Sequence, residues 1–136
     1  MDVDLALTAD AATIDNSGKL NILGIFDRIS VQKFPAQHGR IALVLRFIGG
    51  AADSGGHQLG IRLLGPSGKE MLSLNGELQV APGRRSIASG LRIPHVLNLD
   101  GLVLPGPGQY TFEVIVDGQY QASLALTVDG PPTQMD

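Results

Sequence analysis

The sequence predicts an all-β protein, folded as a single antiparallel β-sandwich of about eight or nine strands and immunoglobulin-like or jelly-roll-like. Apolar residues recur at every second position along most of the chain, and no stretch keeps a helical period for three turns. Eighteen glycines and eight prolines punctuate these runs. A length of 136 residues fits one domain with its own hydrophobic core.

Each alternating run has one apolar and one polar face, which is typical of antiparallel sheets with one side in water. We expect residues 1–129 to form the sandwich and residues 130–136 to form a flexible C-terminal tail. The apolar faces predict a core that comprises Leu5, Leu7, Leu20, Ile22, Phe26, Leu43, Leu45, Leu59, Ile61, Leu72, Leu74, Phe112, Val114, Leu124 and Leu126.

Strands joined by a hairpin must place their apolar residues on the same face, which restricts the loop length. This rule predicts four-residue loops at residues 15–18 and 66–69. It predicts a three-residue loop at residues 116–118, with Gly118 in the left-handed conformation, instead of a two-residue type I′ turn. The apolar positions also change parity after Asp27, which predicts a bend that carries the chain from one sheet to the other.

The charge balance argues against nucleic acid as a partner. Ten basic residues stand against 13 acidic ones, so no basic stripe is available for phosphates. Four phenylalanines, two tyrosines and no tryptophan supply few stacking platforms. This composition argues against oligonucleotide binding and against carbohydrate binding, although it excludes neither function.

The chain contains no cysteine, which excludes disulfides and thiolate metal sites. Its first residues include Asp2 and Asp4, whereas a secretory signal begins with basic residues. No apolar run approaches the ~18 residues that cross a bilayer. We therefore expect a cytoplasmic protein with no membrane partner.

The densest group of polar side chains among apolar neighbours comprises Arg92, His95, Asn98 and Asp100. These residues are candidate ligand-binding residues, with His95 as a general base. In a regular strand, however, His95 points away from the other three. A kinked strand end, in which Asn98 and Asp100 satisfy turn amides, is therefore the favoured interpretation.

Other polar motifs are weaker. Arg84 and Arg85 follow a predicted Pro-Gly turn and are candidates for contact with an anion or an acidic partner, although two adjacent arginines on a loop are more often simply exposed. The histidines His38, His57 and His95 lack the local spacing of zinc ligands. We therefore assign no catalytic residue, no metal site and no cofactor.

Three stretches of the chain carry a family resemblance, namely residues 9–12 with 18–27, residues 75–78 and residues 94–101. On these residues the chain resembles a bacterial family of uncharacterised all-β proteins. The closing segment, residues 107–114 and the hairpin after it, is similar to the last strands of immunoglobulin-like and jelly-roll modules. The resemblance implies a free-standing domain and no particular activity.

The molecular function is therefore unknown from sequence, and the leading hypothesis is a non-enzymatic protein-interaction domain that self-associates. Sheet edges invite pairing unless they are protected. Apolar residues on polar faces, such as Val44 with Ala42, or Leu23 with Ile25, are candidates to cover a partner. One alternative is a small-molecule-binding protein or hydrolase with a pocket near residues 92–100. Another is a structural subunit of a bacterial or phage-related assembly.

Overall fold

A computed structural model describes residues 1–80 and 91–131, and in these ranges the protein is all-β. One short 3-10 helix, Ala51–Asp53, interrupts the strands. The predicted turn at Pro82 and Gly83 and residues 132–136 of the expected tail lie outside the described residues. The strands are β1 (Asp2–Ile14), β2 (Leu20–Phe26), β3 (Arg28–Ser30), β4 (Ala36–Gly49), β5 (Gly55–Leu64), β6 (Glu70–Val80), β7 (Leu91–Leu104), β8 (Gly108–Val116) and β9 (Gln119–Asp129).

The strands form two sheets. The first has four antiparallel strands in the order β2-β1-β4-β7, and the second has five strands in the order β3-β9-β8-β5-β6. No helix in the described part of the chain has the length and apolar character to cross a membrane.

The second sheet is mixed, so the prediction of a purely antiparallel fold is wrong in one pair of strands. β3 runs parallel to β9, with Ile29 opposite Val128. The chain leaves the edge of the first sheet at Asp27, whose carbonyl accepts a hydrogen bond of 2.9 Å from the Thr127 amide. The predicted change of sheet after Asp27 is confirmed, and it places β3 alongside β9 in the same direction.

One hydrophobic cluster contains residues from both sheets. Its largest fully buried side chains include Tyr110 and Phe47, which the predicted core did not contain. Four predicted members, Phe26, Leu72, Leu74 and Leu124, are partly buried against the cluster. The predicted members that are buried are Leu43, Leu45, Leu59, Ile61, Phe112, Val114 and Leu126.

Four predicted core residues, Leu5, Leu7, Leu20 and Ile22, lie outside this cluster. The physical reason for Leu5 and Leu7 is a register shift in β1. Val3 pairs with Phe47 of the core, but after the irregularity Leu5 pairs with Arg46 and Leu7 with Val44. Because a shift of one residue moves every following side chain to the other face of the sheet, Leu5 and Leu7 face away from the core.

The outer face of the first sheet is covered by the chain itself. Ala42 and Val44 are fully buried although their neighbours in sequence, Leu43 and Leu45, point into the core. A cavity on this side is lined by Arg46 together with Leu20 near the tip of the β1–β2 hairpin. Ala42 and Val44 are therefore not available to a partner, contrary to the expectation from their alternation.

The first two hairpin loops are each one residue longer than predicted, because residues 15–19 and residues 65–69 separate the paired strand ends. In the β1–β2 hairpin Ile14 pairs with Leu20, and the turn has Gly18 at a φ of 82°. The β5–β6 turn has Gly68 at a φ of 85° and repeats this geometry. Both turns are closed by a backbone hydrogen bond, from the Asp15 amide to Lys19 and from the Gly65 amide to Lys69. The predicted four-residue loops are thus wrong.

The last hairpin has a two-residue turn. Asp117 and Gly118 have φ values of 51° and 78°, the two positive values that a type I′ turn requires. The predicted three-residue loop is therefore wrong. The extra residue lies inside β9 instead: Ile115 pairs with Tyr120 and Val114 with Ala122, so Gln121 has no partner and Val114 still faces an apolar residue.

Candidate functional site

The structure does not gather the charged members of the β7 segment. Arg92 donates to a carboxylate oxygen of Asp4 at 3.4 Å. Asp100 accepts two hydrogen bonds from Arg40, at 2.6 and 3.1 Å. Eight steps along a regular strand separate Arg92 from Asp100, which is roughly 26 Å. Each therefore belongs to its own surface ion pair.

His95 lies on the opposite face of β7 from these ion pairs. It is half-buried and lines a cavity of about 100 Å³ with Leu59, Ile61 and Leu74 of the other sheet. Burial away from water lowers the pKa of His95. Asn98 is exposed on the outer side. The four candidate residues are thus distributed over two faces of the strand.

The other candidates contribute no assembled site. Arg84 and Arg85 lie outside the described residues. His38 packs its ring against Phe26, with ring centroids 5.9 Å apart. In residues 1–80 and 91–131 no three acidic or histidine side chains meet in a way that would hold a metal ion.

A polar cluster that the sequence did not predict centres on His57. Its Nδ1 lies 2.6 Å from an oxygen of Asp117, and its Nε2 lies 2.5 Å from the backbone carbonyl oxygen of Asp53. Both neighbours are acceptors, so the ring satisfies both of them only when both of its nitrogens carry a proton. The hydrogen bond to Asp117 is the main cause that raises the pKa of His57.

Further hydrogen bonds fix both partners of His57. Asp117 accepts from the amide of Gln58 at 2.9 Å, and Asp53 accepts from the amide of Gly50 at 2.8 Å. The contact with His57 lowers the pKa of Asp117, and the Gly50 amide lowers that of Asp53. Because neither nitrogen of His57 is free to take a proton from a substrate, the cluster is a structural clamp and no general base.

Next to this clamp, the outer face of the five-stranded sheet carries a groove of about 750 Å³. We call it the Gly60 groove, because Gly60 pairs with Asn75 on one side and Ile115 on the other. Its polar lining consists mainly of exposed or half-exposed residues of β5 and β6, namely Gln58, Arg62, Ser73, Asn75 and Glu77. In the sequence these residues have the pattern of an ordinary solvated strand face, which is why they were not predicted as a site.

The positive charge in the groove is already neutralised. Arg62 contacts Glu70 at 2.7 Å and Glu113 at 3.4 Å. The side chains of Gln58, Ser73 and Asn75 make no hydrogen bond with any other described residue. Besides the carboxylate of Glu77, the groove therefore offers uncharged donors and acceptors that are not used within the described part of the chain.

These features define the class of the protein as an all-β domain of two sheets with a polar groove. The family of unknown function DUF6941 matches residues 4–129, and the chain belongs to this family. The predicted membership of a family of uncharacterised all-β proteins is therefore confirmed. A search of the curated proteins finds no match.

Proposed function

We propose that this protein is a non-enzymatic interaction domain that binds a second copy of itself along the edge of β2. The main observation that supports this proposal is the exposure of two large apolar side chains on one face of this edge strand. Leu23 is 71% exposed and Ile25 is 66% exposed. Edge strands of this kind pair with other strands unless something prevents it.

The other edges carry the features that normally prevent such pairing. β7 has Pro94 and the charged Arg92, and β6 has Glu70 and Glu77. β3 is only three residues long. β2 contains neither a charged residue nor a proline. An antiparallel pair of β2 strands related by a two-fold axis would bring the same apolar residues together from both copies.

The test is the mass of the purified protein by size-exclusion chromatography with light scattering. We expect a dimer of the 14.3 kDa chain, and a monomer for Ile25→Lys, because a charge at an exposed edge position opposes strand pairing. Ala125→Lys, an exposed position in an interior strand, is the matched control and should remain dimeric. A monomeric wild-type protein at all concentrations would refute self-association.

We also propose that the two sheets form an immunoglobulin-like sandwich. Two observations support this proposal. The hydrophobic cluster draws residues from both sheets. In addition, the hydroxyl of Tyr110, near the start of β8, donates to the carbonyl of Gly106 at 2.6 Å, as in the tyrosine corner of such domains. A cytoplasmic location is part of the proposal, since a chain without cysteine suits a reducing compartment.

The alternative functions have less support. The separation of His95 from Asp100, roughly 17 Å along the strand, does not favour a hydrolase or ligand pocket near residues 92–100. A structural subunit of a larger assembly would need edge contacts like those proposed for β2. Co-purification of further chains with the native protein would distinguish that role from simple dimerisation.

A further inference from the structure

We propose that the Gly60 groove binds a neutral, hydroxyl-rich ligand of the oligosaccharide class. This inference goes beyond the proposed self-association. It concerns the opposite sheet and does not depend on the β2 edge.

The first argument is that the fold does not need a glycine at position 60. Its φ lies outside the left-handed region, so the backbone imposes no requirement. A Cβ at this position would lie 3.6 Å from both Asn75 Oδ1 and Ile115 Cβ, which is ordinary contact. A glycine within a strand weakens it and often marks a position where a ligand approaches closely. Gly60 thus leaves a hollow that the packing of the sheet does not require.

The second argument is the chemistry of the walls. Carbohydrate hydroxyls both donate and accept hydrogen bonds, and side-chain amides do the same through separate atoms. Gln58 and Asn75 supply such amides from adjacent strands, and Ser73 supplies a hydroxyl. Glu70 and Glu113 already pair with Arg62, and the remaining carboxylate, Glu77, accepts a hydrogen bond from Gln79, so among the described residues the groove has no free cation that would attract an anionic ligand. A neutral polar ligand therefore fits this lining best.

The third argument is the apolar side of the groove. Ile115 lines it, and Tyr120 is the cross-strand partner of Ile115 on the neighbouring strand β9. Paired residues share a face of the sheet, and the Tyr120 side chain is 57% exposed there. Its ring presents an apolar surface with a polar end, which suits the carbon face of a sugar ring. The low aromatic content of the sequence argues against carbohydrate binding, but one tyrosine stands beside this groove.

The size of the groove agrees with this class of ligand. Its volume of about 750 Å³ lies in the range of small-molecule sites, roughly 300 to 1,000 Å³. The groove is open along the sheet face, so we expect it to accept a linear chain.

The experiment is an NMR titration of the labelled full chain with cellohexaose, maltohexaose and chitohexaose at millimolar concentration. We expect at least one of these neutral oligosaccharides to shift the amide signals of Gly60, Asn75 and Ile115 together. Performing the titration on the Ile25→Lys variant as well separates ligand binding from self-association. Absence of any saturable shift with all three sugars would overturn the proposal, as would shifts that map to another surface.

Matched variants test whether the hollow is the binding site. Gly60→Val fills it with a residue that strands favour, so the fold should persist while the dissociation constant rises at least about tenfold. Gly39→Val is the control, because Gly39 has an ordinary φ and open space around its Cβ position on the other sheet. Undiminished binding by a folded Gly60→Val variant would refute the assignment.

The polar lining has its own test. Gln58→Ala should weaken binding severalfold, whereas Gln109→Ala, an exposed glutamine of β8 outside the groove, should bind as the wild type does. Tyr120→Ala should also weaken binding. Equal affinity of Gln58→Ala, Tyr120→Ala and wild type would show that the sugar is not held by this face.

Discussion

His57 and Asp117 are joined by a contact of 2.6 Å between Nδ1 and Oδ2, although they are 60 residues apart in the chain. The second ring nitrogen lies 2.5 Å from the carbonyl oxygen of Asp53. The His57 side chain thereby connects the 3-10 helix before β5 to the turn between β8 and β9. The stability of this corner of the fold must depend on pH.

The His57 clamp should lose its contribution to stability as pH rises. Its folded-state pKa is raised above 6.5, so the contribution is complete below 6.5 and disappears as pH passes the folded-state value. The difference in unfolding free energy between wild type and His57→Gln, measured in urea, should shrink from about pH 6 to pH 9. A difference that is constant over this range would show that the ring is not protonated in the native state.

His95 should show the opposite dependence. Burial lowers its folded-state pKa below 6.5, so the native state is destabilised as pH falls through this region and the unfolded chain takes up a proton. His95→Leu removes this penalty. Its unfolding free energy relative to wild type should therefore increase from pH 7 to about pH 5, in the same urea experiments. A difference that is constant over this range would mean that His95 is accessible to water.

The buried face of β4 should be far more sensitive to truncation than the edge of β2. Leu43 is fully buried, and Leu43→Ala should cost roughly 2–5 kcal/mol of unfolding free energy. Leu23→Ala removes the same atoms from a side chain that is 71% exposed, and it should cost less than about 0.5 kcal/mol in a monomeric background. Similar losses at both positions would contradict the assigned faces.

Period-two alternation correctly predicted the strands and the central core residues such as Leu43, Ile61 and Phe112. It failed for Leu5 and Leu7 because one irregularity between Val3 and Leu5 exchanges the two faces of β1. Alternation shows which residues share a face, but it does not show which face is covered, or that a hairpin lies over the outer side.

The rule that restricts loop length from the positions of apolar residues also failed where a strand is irregular. The rule identified correctly that apolar residues face each other in the last hairpin, but it placed the compensating residue in the loop. The structure places it in β9, where Gln121 has no partner because Val114 pairs with Ala122 and Ile115 with Tyr120. A register shift inside a strand leaves no signature such as glycine here. The sequence pattern also could not predict the His57 clamp, because the partners of His57 are 4 and 60 residues away in the sequence.

The effect of a Gly→Ala substitution on stability should depend on the backbone conformation of the glycine. Gly60→Ala should stabilise the fold by about 0.5–1 kcal/mol, because the position tolerates a Cβ and alanine restricts the unfolded chain. Gly24→Ala should destabilise it, since Gly24 has a φ of 71° and the new Cβ would collide with the Asp10 carboxylate. Thermal unfolding of the two variants measures this contrast, and a stabilised Gly24→Ala would contradict it.

Tyr110→Phe should destabilise the fold without changing its shape. The fully buried Tyr110 hydroxyl donates to the Gly106 carbonyl at 2.6 Å and accepts from the Gly106 amide at 3.3 Å. Removing it leaves both groups without this partner and should cost about 1–3 kcal/mol. Denaturant unfolding with an unchanged m-value is the expected observation, and an unaltered midpoint would refute the role of this contact.

The position of β9 between β3 and β8 has a consequence for how the protein forms. Among the described strands β3 pairs only with β9, and Ile29 meets Val128 only after nearly the whole domain has been made. Contacts between such distant parts of a chain slow folding. On the ribosome the second sheet remains incomplete until residue 129 has emerged, so β2, the edge that we propose for self-association, is synthesised long before the native structure can form.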